Sequence, residues 1–253
     1  NSIPKFSYAS SFGVSSIFPW QRKGVAGFLK RLDLIGVREQ RGKQIVKELT
    51  GKDAKVVCDP TFLLTTDEWI EALMENEKER GLERNGEPYK IDTPYILAYV
   101  LGERKDVREE IKKLREQSGL KIVNLPHVDN YHAMDDNLGD INLYDVDPFD
   151  FIRLIRDAEY VVTDSFHGSV FSIQMHKKFL TFYRKPSSEK GNTNSRIDSL
   201  FNILGLSERL YKGDVFNQIK KNIDYGYVDR QVEELRIDSL AFFKQALGLG
   251  RII

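Results

Sequence analysis

At the end of the apolar run Tyr160-Val161-Val162-Thr163, a carboxylate, a hydroxyl and an imidazole follow in close order: Asp164, Ser165 and His167, with Gly168 directly behind. A pattern of small and apolar residues, Gly168 to Met175, then reads as a helix. The first N–H groups of a helix have no partner within it, and its dipole favours negative charge, so a strand-to-helix turn suits an anion. Asp164 or Ser165 can cap the helix. Gly168 carries no Cβ to obstruct a ligand approaching the backbone. Imidazoles titrate near neutral pH, which makes His167 the foremost candidate for moving a proton. The plain alternative is that Ser165 only caps and His167 only packs.

Other residues with chemical potential are scattered. Ser10 and Ser11 stand before Gly13 at the end of a strand-like run, where hydroxyls and backbone N–H groups either cradle an anion or form an ordinary turn. Asp59 before Pro60 reads as a turn residue rather than a base. His127, Asp129 and His132 share a polar loop, but no third neutral ligand at helical spacing supports a metal site, so none is expected; His127 is assigned to contact with a sugar. Tyr183-Arg184-Lys185 ends a strand where phosphate or sugar can be met. His176 reads as a helix-end residue, and Cys58, in the apolar run Val56-Val57-Cys58, as a buried thiol.

The elements that must position these residues are legible as alternating strands and helices. Strands are predicted at 5–10, 34–37, 54–58, 95–101, 121–125, 159–163 and 178–183. Helices are predicted at 24–32, 41–49, 69–80, 105–118, 148–156, 168–175, 194–204 and 229–247. This alternation implies an α/β protein with parallel sheets and helices on both faces. The polar stretch 81–93, with Gly81, Gly86 and Pro88, reads as a linker. The expected organisation is therefore residues 1–80 as the C-terminal part of a first Rossmann-like domain, 94–225 as a second carrying His167, and 228–253 as a helix returning to the first.

The chain of 253 residues is 41% hydrophobic, with 38 Lys+Arg against 38 Asp+Glu. Zero net charge gives no global pull toward nucleic acid, so no nucleic-acid partner is expected and an anionic substrate must be held locally. A single cysteine fits a reducing compartment. No apolar segment approaches the ~20 residues that span a bilayer. The start, Asn1-Ser2-Ile3-Pro4, has neither the basic nor the apolar region of a signal peptide.

The segment Val161 to Ser172 resembles the signature of the polysaccharide pyruvyl transferase family. Tyr8-Ala9-Ser10-Ser11-Phe12-Gly13, Val37-Arg38-Glu39 and Asp59-Pro60-Thr61-Phe62-Leu63-Leu64 resemble three further blocks of that family in the same order. The resemblance implies a glycosyltransferase-B-like fold of two Rossmann-like domains facing a cleft. Members carry a Gly-rich segment upstream of the Tyr-Ala-Ser block, so the first domain is expected to lack its N-terminal part here.

The resemblance also implies an activity: transfer of pyruvate from phosphoenolpyruvate to a sugar hydroxyl pair, with release of phosphate. It implies no cofactor beyond phosphoenolpyruvate as donor substrate. His167 and Arg38 are carried over as catalytic residues, with Arg38 a ligand for phosphoenolpyruvate; the plain alternative for Arg38 is an ion pair with Glu39 or Asp33. Ser10, Ser11, Asp164, Ser165, Gly168, Asn194, Arg196 and His127 are the expected substrate contacts. Many members have Arg two positions before the signature histidine, where this chain has Ser165; Arg196 is the expected replacement. The implied acceptor is a sugar on a polysaccharide or its precursor, lipid- or nucleotide-linked, handled in the cytoplasm with peripheral membrane contact at its inner face. Two rival readings stand beside this one: a glycosyltransferase using a nucleotide sugar, and a non-catalytic carbohydrate- or anion-binding module.

Overall fold

The computed structural model describes residues 3–83, 91–127, 132–186 and 194–249. Its elements begin with β1 (Phe6–Ser10), α1 (Pro19–Lys30), β2 (Leu34–Val37), α2 (Gln40–Thr50), β3 (Lys55–Val56) and α3 (Thr66–Glu83). Next come β4 (Tyr95–Tyr99), α4 (Lys105–Ser118), β5 (Lys121–Asn124), β6 (Ile141–Asn142), α5 (Pro148–Asp157), β7 (Tyr160–Thr163) and α6 (Phe166–Gln174). The chain finishes with β8 (Lys178–Thr181), α7 (Ser195–Leu204), α8 (Val215–Lys220) and α9 (Tyr225–Ala246). Two compact units result: Asn1–Leu63 with Lys185–Ser207 and Asp224–Ile253, and Leu64–Arg184 with Glu208–Ile223.

In the first unit β1, β2 and β3 form a parallel sheet in that order. Side chains alternate across a strand, and β2 divides its own accordingly. Ile35 and Val37 join Val46 of α2 and Leu29 of α1 in one cluster, while Leu34 joins Phe242 of α9 in another. Gly36 falls on the α9 side because a Cβ there would stand 2.8 Å from the Phe242 ring and 2.9 Å from the Ser7 carbonyl. Further bonds hold α9 in this unit: Ser239 Oγ accepts from Cys58 N at 2.8 Å, and Arg236 Nε donates to Phe62 O at 2.7 Å.

The second unit holds a five-stranded parallel sheet in the order β6-β5-β4-β7-β8. The chain starts at the central strand β4, moves outward through β5 and β6, then returns to β7 on the other side. The switch point therefore lies between β4 and β7, and open α/β sheets bind ligands outside the carboxyl ends of the strands there. One face packs Val107, Ile111 and Leu114 of α4 with Val215 and Ile219 of α8 against Ile96, Ala98, Ile122 and Val162. The alternate residues Leu97, Val123, Val161 and Phe179 are fully buried as well, as both-face coverage of a parallel sheet requires.

The unit boundaries differ from the expected 1–80, 94–225 and 228–253. Helix α3 belongs to the second unit through bonds that its charged pattern does not reveal. Thr66 Oγ1 donates to Gln174 O at 2.9 Å, Arg153 of α5 donates to Glu77 at 2.8 Å, and Arg80 reaches Asp150 at 2.9 Å. Conversely α7 belongs to the first unit, where Gln40 N of α2 donates to Ser199 Oγ at 3.2 Å. Helix α8 and the short strand β6 escaped the sequence reading because six and two residues show no period. Replacing Gly36 by Ala should lower stability by about 1–3 kcal/mol through overpacking; urea unfolding checks this, and an unchanged midpoint would refute the Phe242 contact.

Candidate active site

The turn after β7 sits at the switch point of the second unit's sheet, and its side chains divide sharply by burial. Every residue from Tyr160 to Met175 is buried except His167. The helix starts two positions earlier than its apolar pattern suggests, which sets His167 on the first turn of α6. There it lines a cavity of about 400 Å³ with Tyr99, Tyr144, Phe151 and Phe171.

Ser165 is the N-cap, its hydroxyl accepting from Gly168 N at 3.3 Å. Thr163 Oγ1 accepts from Ser165 N at 3.0 Å and donates to Tyr99 O at 2.6 Å, tying the turn to the end of β4. Gly168 lies against this same threonine: a Cβ would stand 2.4 Å from Thr163 Oγ1. Close packing of helix on strand, rather than room for a ligand, accounts for the glycine.

Asp164 turns inward. Its two oxygens accept from Leu101 N and Gly102 N, both at 2.7 Å, and Arg184 Nε stands 3.8 Å away. Burial pushes its carboxyl above the ordinary value, against the pull of the Leu101 amide, Arg184 and the Gly102 amide. Gly102 is required here, since a Cβ would stand 2.7 Å from Asp164 Oδ2. Asp164 thus holds the turn after β4, where a substrate contact was expected.

His127 is engaged at both nitrogens, Nδ1 with Asp135 Oδ2 at 3.0 Å and Nε2 with Leu101 O at 2.6 Å. Arg108 Nε donates to the other oxygen of Asp135 at 2.8 Å, and its Nη1 donates to Gly102 O at 2.7 Å. The geometry makes His127 a latch between Asp135 and the end of β4, and leaves its ring no donor for the sugar contact expected of it. The His132 ring stands 4.2 Å from that of His127, and Asp129 lies outside the described residues. Among the described residues no group of three or more His, Cys, Asp or Glu could hold a metal.

The other candidates belong to the first unit. Ser10 O accepts from Arg38 N at 3.2 Å, across a register shift where Ala9 adopts a left-handed φ of 52°. A non-glycine residue there stores strain, which concentrates at functional turns. Ser11 Oγ donates to Glu39 Oε1 at 3.0 Å, and Phe12 N donates to the same oxygen at 2.9 Å. Glu39 is fully buried, so the serine turn is built around an internal carboxylate that sequence reasoning passed over, although it stands in the same block as Arg38. The Arg38 guanidinium pairs with Asp59 rather than Glu39 or Asp33, while Thr61 Oγ1 donates to the other Asp59 oxygen at 2.8 Å. Asn194 is buried, with Nδ2 donating to Lys185 O at 3.2 Å, and Arg196 is half-buried on α7.

Each unit therefore assembles its own set: Ser10, Ser11, Arg38, Asn194 and Arg196 in the first, His127, Asp164, Ser165, His167 and Gly168 in the second. The family profile described as polysaccharide pyruvyl transferase matches residues 1–186, which include the four blocks up to the His167 turn. The chain belongs to the polysaccharide pyruvyl transferase family. Its class is thereby that of a transferase enzyme. No curated protein matches the chain.

Solved structures show the fold of this family member to be glycosyltransferase-B-like. The UDP-GlcNAc 2-epimerase of Neisseria meningitidis, solved bound to UDP-GlcNAc, superposes with a TM-score of 0.53 at 12% identity, covering 94% of this chain and 70% of that one. S. aureus MnaA, solved with UDP, gives 0.50 at 16% identity, covering 98% and 69%.

Two outcomes test the geometry around the turn. Gly168→Ala should cost about 1–3 kcal/mol by overpacking, and trimming the opposing methyl and hydroxyl in Gly168→Ala/Thr163→Ala should make the two effects non-additive in a double-mutant cycle; simple additivity would refute the contact. Burial pushes the Asp135 carboxyl up, but the bonds from His127 and Arg108 outweigh it and hold it below the ordinary 3.8. The stabilisation from a lowered carboxyl is present above the ordinary value and is lost as pH falls from there through the lower value of the folded state. Asp135→Asn should therefore lower stability by about 3 kcal/mol at neutral pH and lose less than the wild type between roughly pH 5 and 2, followed by circular dichroism. Parallel acid-unfolding curves would contradict the latch.

Proposed function

We propose that this family member moves pyruvate from phosphoenolpyruvate onto a pair of sugar hydroxyls of a polysaccharide or its precursor, with His167 as the acid–base residue. The supporting observation is that His167 alone faces outward from an otherwise buried turn at the sheet's switch point and lines the cavity there. A proton goes to the methylene carbon of the enol, and the first hydroxyl oxygen bonds to the adjacent carbon while giving up its own proton. Phosphate then leaves with the electrons of its C–O bond, and the second hydroxyl closes the ketal as it loses its proton. One imidazole can supply the first proton and accept a later one.

The substrate carries carboxylate and phosphate, and guanidinium forks suit both. Arg38 and Arg196 are the proposed holders, since Ser165 is an N-cap and has no charge to offer. The acceptor is lipid- or nucleotide-linked and met in the cytoplasm, at the membrane's inner face. Among the described residues no helix is long and apolar enough to cross a membrane. Phosphate release from phosphoenolpyruvate should be followed across a panel of sugar acceptors. His167→Ala should reduce the rate by roughly 10²–10⁴-fold at an unchanged melting temperature. A folded variant that keeps its rate would overturn the assignment.

A further inference from the structure

We infer that the cavity beside His167 takes an uncharged ring that stacks on aromatic side chains, and that it does not take the anionic donor. The inference rests on the proposed reading of the His167 site, and it names the acceptor side of that reaction as the occupant. The ring is either the acceptor sugar or the base of a nucleotide carrying it.

The cavity of about 400 Å³ has the size of a ligand pocket. Among the described residues, its lining holds no Arg or Lys. One carboxylate, Asp147, lies on its wall, but Asp147 is committed: it caps α5 by accepting from Asp150 N at 2.8 Å and pairs with Arg80. The carboxylate and phosphate of the donor would find no guanidinium or ammonium on these walls, where His167 is the one described side chain able to carry positive charge. Phosphoenolpyruvate is the wrong chemistry for such walls.

A neutral ring is the right chemistry. The C–H face of a sugar or the π-face of a base gains dispersion and electrostatic attraction on an aromatic surface. The aromatic walls brace one another. Tyr99 meets Phe151 edge-to-face at 4.9 Å, Phe151 meets Phe171 at 6.0 Å, and Phe171 meets Trp69 at 5.2 Å. Tyr144 stands on the rim of the cavity, 59% exposed. Its backbone is placed just beyond β6, where Leu143 N donates to Asn124 O at 3.1 Å. His167 on the same wall would meet a hydroxyl of a ring bound there.

Because Trp69 touches Phe171, its fluorescence reports occupancy once the exposed Trp20 is replaced by Phe. The full chain carrying Trp20→Phe is titrated with methyl glycosides of common hexoses and, separately, with uridine, cytidine, adenosine and guanosine. Saturable binding by at least one of these sets is expected, weakened tenfold or more by Tyr144→Ala and by Phe151→Leu, with neither phosphoenolpyruvate nor inorganic phosphate competing. Glycoside binding assigns the sugar, and nucleoside binding assigns the carrier's base. Absence of saturable binding, indifference to both substitutions, or competition by phosphoenolpyruvate would overturn the inference. Ring binding without phosphate release from phosphoenolpyruvate and any acceptor would leave the pocket standing and remove the reaction. Phosphate release with an unchanged acceptor KM in Tyr144→Ala would do the reverse.

Discussion

A buried carboxylate bridging two parallel strands organises the second unit. Asp164, at the end of β7, takes the N–H groups of Leu101 and Gly102 beyond the end of β4, and these strands flank the switch point. Two amides and a nearby guanidinium offset much of the cost of burying the charge, yet burial still raises the carboxyl. A bond of this kind is costly to lose because its partners are then buried unsatisfied. The adjoining residues inherit their placement from it. Ser165 caps α6, Thr163 binds Tyr99 O, and His167 is left as the outward-facing member of the turn.

Around this centre, charge pairs add to the apolar contacts that align the surrounding segments. Arg108 holds Asp135 on one side and Gly102 O on the other, with His127 closing the circuit through Leu101 O. Arg153 joins α5 to α3 through Glu77, Asn76 and Leu73 O, and Arg80 meets both Asp147 and Asp150. Buried ion pairs contribute little net stability but penalise any other arrangement, since one removed partner strands the other. They suit a site whose walls must be fixed before a substrate enters.

The first unit follows a similar logic with different residues. Glu39 is buried beneath the serine turn, and Arg38 is steered to Asp59, whose other oxygen is occupied by Thr61. The blocks that mark the family in sequence thus coincide with internal carboxylates that lock turns at strand ends.

Much was determined by sequence alone. The alternation of apolar runs with helical patterns fixed an α/β architecture, because a parallel strand must be apolar on both faces and a crossover helix on one. The strand-to-helix turn at Asp164–Gly168 and the family were legible too, since both rest on residues adjacent in the chain. Tertiary structure alone decided the rest. Asp164 was legible as a cap but acts on Leu101 and Gly102, and Gly168 reads as ligand access but is packing on Thr163. His127 reads as a sugar contact but is tied to Asp135 and Leu101. Helix α3 reads as the end of the first domain but belongs with the second. The aromatic cavity, gathered from β4, α5, α6 and the segment after β6, left no local mark at all. The physical reason is common to these cases: a side chain's type limits the bonds it can make, but which partner it meets is set by packing between segments far apart in sequence.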